Sequence, residues 1–336
     1  MNEEYKIISE TLEEGSIVKG KNRKYGVVDK DLKVILEIKY QSVTEYGMVY
    51  IVEKKDKFGL KDKNGKKVTK IKYDEIKGTN SNLCICRIGE KYGLLGVDGS
   101  EITKVIYLDI KPVYFNCADC FIAQKDYDKY GLLDRYGNEI FKCKYSRIYR
   151  LHHDKFAIEL NDKYGVCNIK GEKIFDFIFN SQPLFIGTSS LLIARVNDKF
   201  GIVDLNGNVI SDYIYDEIYL CSRYATEMSA KINGKYCLLN KKGERLTEAK
   251  YDYIKYFSVK DGLIIVRNAG KFGIINNLGN KITEVRFDNI IDKEKYILAK
   301  CQQCYSIIEY SGEIVAKDVD EAFVKDYDRK IAKEES

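Results

Sequence analysis

Residues 270–290 read GKFGIINNLGNKITEVRFDNI, and most of the chain consists of variants of this stretch. Its first aromatic residue, Phe272, is followed directly by Gly273, and a second aromatic residue, Phe287, stands fifteen positions after the first. The first aromatic recurs in nine copies that are spaced 33 to 38 residues apart: Tyr25, Phe58, Tyr92, Tyr130, Tyr164, Phe200, Tyr236, Phe272 and Tyr305. A repeat period of this length is typical of solenoids and propellers.

Two further positions of the repeat are almost as regular as the first aromatic. The second aromatic occurs in the first eight copies, at Tyr40, Tyr73, Tyr107, Tyr145, Phe179, Tyr215, Tyr251 and Phe287. Seven residues after the first aromatic, eight copies carry a glycine and the first copy carries Leu32. Glycine takes a positive φ at no steric cost, so this position predicts a chain reversal between strands. The leucine indicates a distorted first copy.

The strand pattern of the repeat predicts an all-β protein. The eighth copy indicates four short strands, Leu263–Asn268, Phe272–Asn276, Lys281–Val285 and Phe287–Ile290, separated by glycine-bearing turns. A meander of about 35 residues cannot bury both of its faces, so we expect the copies to stack and to share a core filled by the aromatic rings. We expect nine repeats in a closed β-propeller-like ring, because closure removes exposed strand edges. An open β-solenoid of stacked antiparallel meanders is the alternative.

The repeats define one domain, residues 16–320, with a short segment on each side. Residues 1–15 are charged and carry Tyr5, Ile8 and Leu12 at helical spacing, so we expect a helical or extended cap. Residues 321–336 lose the aromatic-glycine pattern, which predicts a charged tail that is either a capping helix or a frayed end.

The repeat unit K-[YF]-G-h-h-[DN]-x-x-G-x-x-h, where h is apolar, is followed by an aromatic-Asp-x-Ile element. This unit resembles the WG-repeat family of bacteria, in which tryptophan normally precedes the glycine. The chain contains no tryptophan and carries Tyr or Phe at that position, and it lacks the proline usual before the second aromatic. The resemblance covers nearly the whole chain and implies a β-structured, propeller-like fold. It implies little chemistry, because most members of the family have no known function.

Composition excludes several classes of protein. The 56 Lys and Arg residues are interspersed with 51 Asp and Glu residues, for a net charge of +5, so the concentrated basic face of a typical nucleic-acid binder is not expected. No apolar run approaches the length of a membrane span, and the acidic N-terminus has no signal-peptide core, so we expect a cytoplasmic protein without a membrane partner. The ten cysteines fit this compartment as reduced residues.

Two groups of residues could in principle hold a metal. The CxxC sequences at 117–120 and 301–304 would together provide four thiolates for zinc, but they lie in different copies and outside glycine-rich knuckles. We interpret them as ordinary reduced cysteines. His152 and His153 are adjacent, and neighbouring side chains on a strand point to opposite faces, so we interpret them as an exposed turn. We therefore expect no metal and no cofactor.

A lysine precedes the first aromatic in eight of the nine copies: Lys24, Lys57, Lys91, Lys129, Lys163, Lys199, Lys235 and Lys271. Equivalent points on every unit could together bind an anion such as a phosphate-bearing ligand. The simpler interpretation is that these lysines are exposed and blunt the strand edges. An acidic residue four positions after the first aromatic, such as Asp62, is expected to cap the turn.

The sequence contains none of the common catalytic motifs, and no pair of carboxylates stands apart from the repeat. We therefore expect a non-enzymatic protein-interaction scaffold, an adaptor or regulator in a bacterial multiprotein system, whose function lies in the irregular connections. The expected partner-binding residues are Tyr114, Phe115, Asp119, Tyr127, Arg147, His152, His153, Arg223 and Tyr224. One alternative is a sensor of an anionic small molecule or nucleotide that uses the repeated lysines. The other is a nucleic-acid platform of lysines and tyrosines.

Overall fold

The computed structural model describes residues 5–10, 15–113, 120–186, 190–221, 227–258 and 262–334. In these residues, 32 β-strands form nine small sheets, and one α-helix follows them. The third strand of every sheet contains the first aromatic of one copy, so sheet 1 to sheet 9 correspond to copies 1 to 9. The predicted all-β repeat fold is confirmed.

Two compact units divide the chain, one of residues 1–161 with 167–173 and one of residues 162–166 with 174–336. Within each sheet the strands are ordered as they are along the chain. Sheets 1 to 4 lie in the first unit. Their strands are β1 (Tyr5–Glu10), β2 (Ser16–Gly20), β3 (Tyr25–Val28) and β4 (Val34–Tyr40); β5 (Ser42–Tyr46), β6 (Val49–Lys54) and β7 (Lys57–Asp62); β8 (Glu75–Gly78), β9 (Leu83–Ile88) and β10 (Lys91–Gly96); β11 (Asp109–Val113), β12 (Cys120–Asp126), β13 (Lys129–Asp134) and β14 (Glu139–Tyr145).

Sheet 5 comprises β15 (Arg147–His152), β16 (Lys155–Leu160), β17 (Lys163–Asn168) and β18 (Lys173–Phe179). Sheets 6 to 9 lie in the second unit. Their strands are β19 (Leu184–Phe185), β20 (Leu191–Val196), β21 (Lys199–Asp204) and β22 (Val209–Tyr215); β23 (Glu217–Leu220), β24 (Met228–Ile232) and β25 (Lys235–Leu239); β26 (Tyr253–Ser258), β27 (Leu263–Asn268) and β28 (Lys271–Asn276); β29 (Asn289–Asp292), β30 (Ile297–Cys301), β31 (Cys304–Ile308) and β32 (Ile314–Val319).

The second aromatic fills the core between consecutive sheets of a unit. Tyr40 lies in a buried cluster with residues of sheets 1 and 2, and Tyr73 lies in the cluster between sheets 2 and 3. Tyr107, Tyr215, Tyr251 and Phe287 occupy the same place in other clusters. The expectation that the copies stack and share a core filled by aromatic rings is confirmed. The first aromatic is half-buried in most copies.

The residue eleven positions after the first aromatic differs between the three-stranded and the four-stranded sheets. Sheets 2, 3, 7 and 8 have three strands, and there this residue is threonine. Its Oγ1 accepts the backbone N–H of the residue two after the aromatic: Leu60 to Thr69 at 2.8 Å, and Leu94 to Thr103, Leu238 to Thr247 and Ile274 to Thr283 at 2.9 Å. A threonine side chain can replace a backbone ladder partner in this way.

In four-stranded sheets the same position carries Leu36, Phe141, Phe175, Ser211 or Ala316. The backbone ladder continues at this point in sheet 1, where Val27 is opposite Leu36, and in sheet 4, where Leu132 is opposite Phe141. The predicted strand Lys281–Val285 is therefore wrong, because Thr283 replaces its ladder. The predicted strand Leu263–Asn268 is confirmed as β27, and Phe272–Asn276 lies within β28. The predicted strand Phe287–Ile290 differs, since β29 begins at Asn289 and belongs to sheet 9.

The turn that precedes this position has the predicted geometry. The glycine seven after the first aromatic has a φ of 78° at Gly65 and 81° at Gly279, and Leu32 has a φ of 63°. Asp62 Oδ1 accepts the backbone N–H groups of Asn64 at 3.0 Å and Lys66 at 2.7 Å. The expected capping role of the acidic residue is confirmed.

The ends of the chain pack on the terminal sheets. Tyr5–Glu10 is the extended strand β1, paired antiparallel with β2. Helix α1 (Glu321–Glu334) begins after Asp320, whose carboxylate accepts the backbone N–H of Phe323 at 2.8 Å. Tyr296, directly before β30, donates a hydrogen bond of 2.6 Å from its hydroxyl to Asp328 of the helix. No helix within the described ranges has both the length and the apolar character that a membrane span requires.

Candidate partner-binding site

Two neighbouring clefts lie in the first unit, along β8, β11 and β15. The first cleft, of about 410 Å³, is lined by residues of β8 to β11 and by Thr79. The second cleft, of about 350 Å³, is lined by residues of β11 to β13, by Ser146 and by β15. Lys111 of β11 lines both. We call this pair of clefts, joined at Lys111, the double cleft.

The first cleft is lined by an aromatic ring and by charged side chains. Tyr92 is the lining tyrosine and is half-buried. Glu75 and Arg87 are directly opposite in the β8–β9 register, and the carboxylate is 3.3 Å from Arg87 Nε. Lys111 and Asp109 form a second ion pair at 3.0 Å, and this hydrogen bond raises the pKa of Lys111. Opposite charges across an antiparallel pair hold their side chains in a defined position.

The second cleft repeats this arrangement with the charges exchanged. Arg147 of β15 is opposite Glu159 of β16, and Arg147 Nε is 3.5 Å from the carboxylate. Arg147 Nη1 also donates to the hydroxyl of Tyr149 at 3.3 Å. Tyr130 and Asp128, which is in the β12–β13 turn, also line this cleft. The first strand of the sheet therefore carries the acid, Glu75 on β8, in the first cleft and the base, Arg147 on β15, in the second.

Four of the predicted partner-binding residues lie in the described part of the chain. Arg147 lines the second cleft. Tyr127 is 82% exposed in the turn between β12 and β13. His152 and His153 lie at the β15–β16 turn with ring centroids 3.9 Å apart, which agrees with the predicted turn. Burial, followed by the charge of His153, lowers the pKa of His152. The other five predicted residues, Tyr114, Phe115, Asp119, Arg223 and Tyr224, lie outside the described residues.

In four copies the repeated lysine forms an ion pair with the aspartate directly after the second aromatic. These Lys–Asp clasps are Lys57–Asp74, Lys199–Asp216, Lys235–Asp252 and Lys271–Asp288. The aspartate also binds a turn of the next copy, since Asp74 accepts the backbone N–H of Gly89 at 2.7 Å. Lys129 pairs with Asp126 at 3.2 Å, and Lys91 and Lys163 begin β10 and β17. Anion binding by these lysines stays a prediction.

The cysteines of the CxxC sequences are in different settings. Cys301 and Cys304 are opposite each other at the β30–β31 turn, Cys120 is buried in β12, and Cys117 lies outside the described residues. Within the described ranges, no three His, Cys, Asp or Glu side chains are placed to hold a metal ion.

Sequence reasoning missed most of the double cleft. Glu75, Asp109 and Arg147 all stand two residues after a second aromatic, and only Arg147 was predicted. The signal was the change from acid to base at this repeat position. Lys111 carried no distinguishing signal, because its role depends on how two clefts meet.

Comparisons with known proteins give a family resemblance and no close relative. Five stretches match the family model described as WG containing repeat: residues 25–58, 58–92, 130–164, 200–220 and 238–272. No curated protein gives a significant match. Similar solved structures include a eukaryotic initiation factor, at 9% identity over 91% of this chain and 95% of the other, with a TM-score of 0.34. Kluyveromyces lactis Hsv2 is 10% identical over 68% of this chain and 90% of its own, with a TM-score of 0.31. All five matched stretches are therefore similar to the WG containing repeat.

Proposed function

We propose that the protein is a non-enzymatic interaction scaffold in a bacterial multiprotein system and that the double cleft receives its protein partner. The observation that carries this proposal is that a tyrosine, Tyr92 or Tyr130, and an ion-paired arginine line each of the two clefts. Tyrosine and arginine are enriched at protein interfaces, where rigid rings supply contact area and arginine supplies directed hydrogen bonds.

The position of the strands also supports a protein partner. Each of the strands β8, β11 and β15 is an edge strand of its sheet. A partner segment lying along these strands would meet acidic side chains at Glu75 and Asp109 and a basic side chain at Arg147. Such an order of charges favours a partner segment of mixed charge in one orientation, because like charges brought together weaken binding.

The alternative sites have less support. Four of the eight repeated lysines that an anion sensor would use are in Lys–Asp clasps, so a ligand there must compete with a carboxylate. The same pairing reduces the positive charge that a nucleic-acid platform would offer.

Affinity capture of the tagged full chain from its native host, followed by mass spectrometry, tests the proposal. We expect a stoichiometric protein partner that is lost with the charge reversals Lys111→Glu and Arg147→Glu. Lys170→Glu is the matched control, because Lys170 is exposed in a turn outside the double cleft. Circular dichroism should show that all three variants are folded. Unchanged capture by both cleft variants, or turnover of a substrate in a broad activity screen, would overturn the proposal.

A further inference from the structure

A third cleft, in the first unit, is lined by an unusual set of cations. It has a volume of about 360 Å³ and lies between β4 of sheet 1 and the residues of sheet 2. Its lining residues are Lys39, Tyr40, Lys54, Lys61, Lys67, Thr69, Lys70 and Ile71. Five of the eight are lysines, and none is acidic. We call it the lysine cleft. None of its lysines is a member of a Lys–Asp clasp.

Lys61 departs from the repeat at a position that the fold normally buries. Three residues after the first aromatic, the other eight copies carry Val28, Leu95, Leu133, Cys167, Val203, Leu239, Ile275 and Ile308. Each of those eight side chains is at most 4% exposed. Lysine at this position therefore forfeits apolar burial that every other copy gains. A residue that lowers stability in one copy alone is explained by a role specific to that copy.

A neighbouring lysine increases the loss of folding stability that Lys61 causes. Lys61 and Lys67 are directly opposite in an antiparallel bridge. Like charges placed directly opposite on neighbouring strands repel each other and destabilise the pair. A bound anion would make the contribution of this lysine pair to the stability of the protein favourable.

Counter-charges near the lysine cleft are few. Glu37 accepts a hydrogen bond of 2.6 Å from Lys39 and is exposed to solvent. This hydrogen bond is the main cause of the lowered pKa of Glu37, and Lys54 and Lys61 contribute through their charges. Within the part of the chain that the structure describes, no carboxylate forms an ion pair with Lys54, Lys61, Lys67 or Lys70.

The second unit contains the equivalent cleft without this charge. Between sheets 7 and 8, Lys250, Tyr251, Lys281, Thr283 and Val285 stand at the repeat positions of Lys39, Tyr40, Lys67, Thr69 and Ile71. The positions of Lys54, Lys61 and Lys70 are taken by Asn268, Ile275 and Glu284. Glu284 lies 2.5 Å from Lys281 and neutralises it, and Glu248 stands at the repeat position of Glu37. The fold therefore forms this cleft with or without the extra lysines.

We propose that the lysine cleft binds a small oxyanion of the phosphate class that carries two or more negative charges. The cleft volume lies at the lower end of the range for small-molecule sites, which favours a compact ligand. Lysine binds phosphate groups as a compact point charge with three donors, so converging ammonium groups suit a multivalent oxyanion. This site is separate from the double cleft, and its test does not depend on the protein partner.

Titration of the full chain with sodium pyrophosphate at low salt, followed by calorimetry, tests the proposal. We expect saturable binding that Lys61→Leu weakens roughly tenfold, since one charged contact is lost. The triple variant K54N/K61I/K70E, which reproduces the cleft of sheet 8, should abolish binding. Lys281→Leu is the matched control, because it removes one lysine from the equivalent cleft, and it should bind like the wild type.

Thermal unfolding separates binding from folding. Lys61→Leu restores the apolar residue type of the other copies, so it should unfold at the same temperature as the wild type or higher, and pyrophosphate should raise its unfolding temperature less than it raises that of the wild type. The absence of pyrophosphate binding to the wild type would overturn the proposal, as would unchanged binding in Lys61→Leu. Binding of a single-stranded oligonucleotide that Lys61→Leu weakens, with no binding of pyrophosphate, would assign the cleft to nucleic acid and equally overturn the proposal.

Discussion

The threonine that ends a three-stranded sheet can be tested by Thr283→Val. Thr283 is 5% exposed, and its Oγ1 accepts the backbone N–H of Ile274, which is fully buried. The carbonyl oxygen of Ile274 is already used, since it accepts the N–H groups of Ile282 at 2.9 Å and Thr283 at 3.0 Å. Valine has nearly the same shape as threonine but offers no acceptor. The substitution therefore leaves the Ile274 N–H buried without its partner.

The expected cost follows from that unpaired donor. A buried polar group that loses its hydrogen-bond partner costs about 1–3 kcal/mol of unfolding free energy. Unfolding entropy is roughly 2.1 cal/mol/K per residue, so a chain of 336 residues carries roughly 0.7 kcal/mol/K. If the whole chain unfolds together, the melting temperature should fall by about 1–4 °C. In a repeat protein the loss is concentrated in the affected sheet and its neighbours.

Urea unfolding and amide hydrogen exchange measure these effects. Thr283→Val should lower the urea midpoint and speed the exchange of the Ile274 amide. Thr283→Ser is the control, because it removes a buried methyl group but keeps the hydroxyl, so it should lose some stability while the Ile274 amide stays protected. If Thr283→Val kept the wild-type urea midpoint and a protected Ile274 amide, the role assigned to the threonine would be wrong.

Three further predictions follow from the structure. The four clasp aspartates, Asp74, Asp216, Asp252 and Asp288, have lowered pKa values. The main cause is a hydrogen bond from the paired lysine in the first three and from the Gln302 backbone N–H in Asp288. Their stabilisation is present above the ordinary carboxyl value of 3.8 and is lost as the pH falls through the lowered values, so replacing all four by asparagine should flatten the acid side of a stability-against-pH curve. Burial raises the pKa of Cys84 to about 12 and of Cys86 to about 11, so iodoacetamide should modify the exposed Cys304 first, as peptide mass spectrometry would show; early modification of Cys84 would contradict this. A closed ring of 336 residues should have a radius of gyration of about 20 Å in solution X-ray scattering, and a clearly larger value would favour the open solenoid.

The repeat positions could be predicted from the sequence because each has a local physical requirement. The glycine seven after the aromatic needs a positive φ, and the turn before it needs a capping oxygen such as that of Asp62. The second aromatic recurs because every core between sheets has the same space to fill. Each copy has the same requirements, so the residues that meet them recur and can be recognised in a single sequence.

The three-stranded sheets and the double cleft could not be predicted in the same way. Thr283 looked like an ordinary strand residue, since threonine is common in strands and its hydrogen bond to Ile274 depends on how the chain bends back. The Lys–Asp clasps could not be predicted from the sequence for a similar reason. Lys57 and Asp74 are 17 residues apart, and only the stacking of copies places the carboxylate beside both the lysine and the turn at Gly89.

Differences between copies are more informative about function than the repeat itself. A feature present in all nine copies serves the fold, because each sheet must solve the same packing problem. The shared packing does not explain a lysine where eight copies bury an apolar side chain. It also does not explain a basic residue where the two preceding copies carry an acid. Lys61 and Arg147 are such departures, and each lines a cleft. A comparison of the copies, made position by position, would have found Lys61 from the sequence alone, since its charge at a buried repeat position needs no structure to detect.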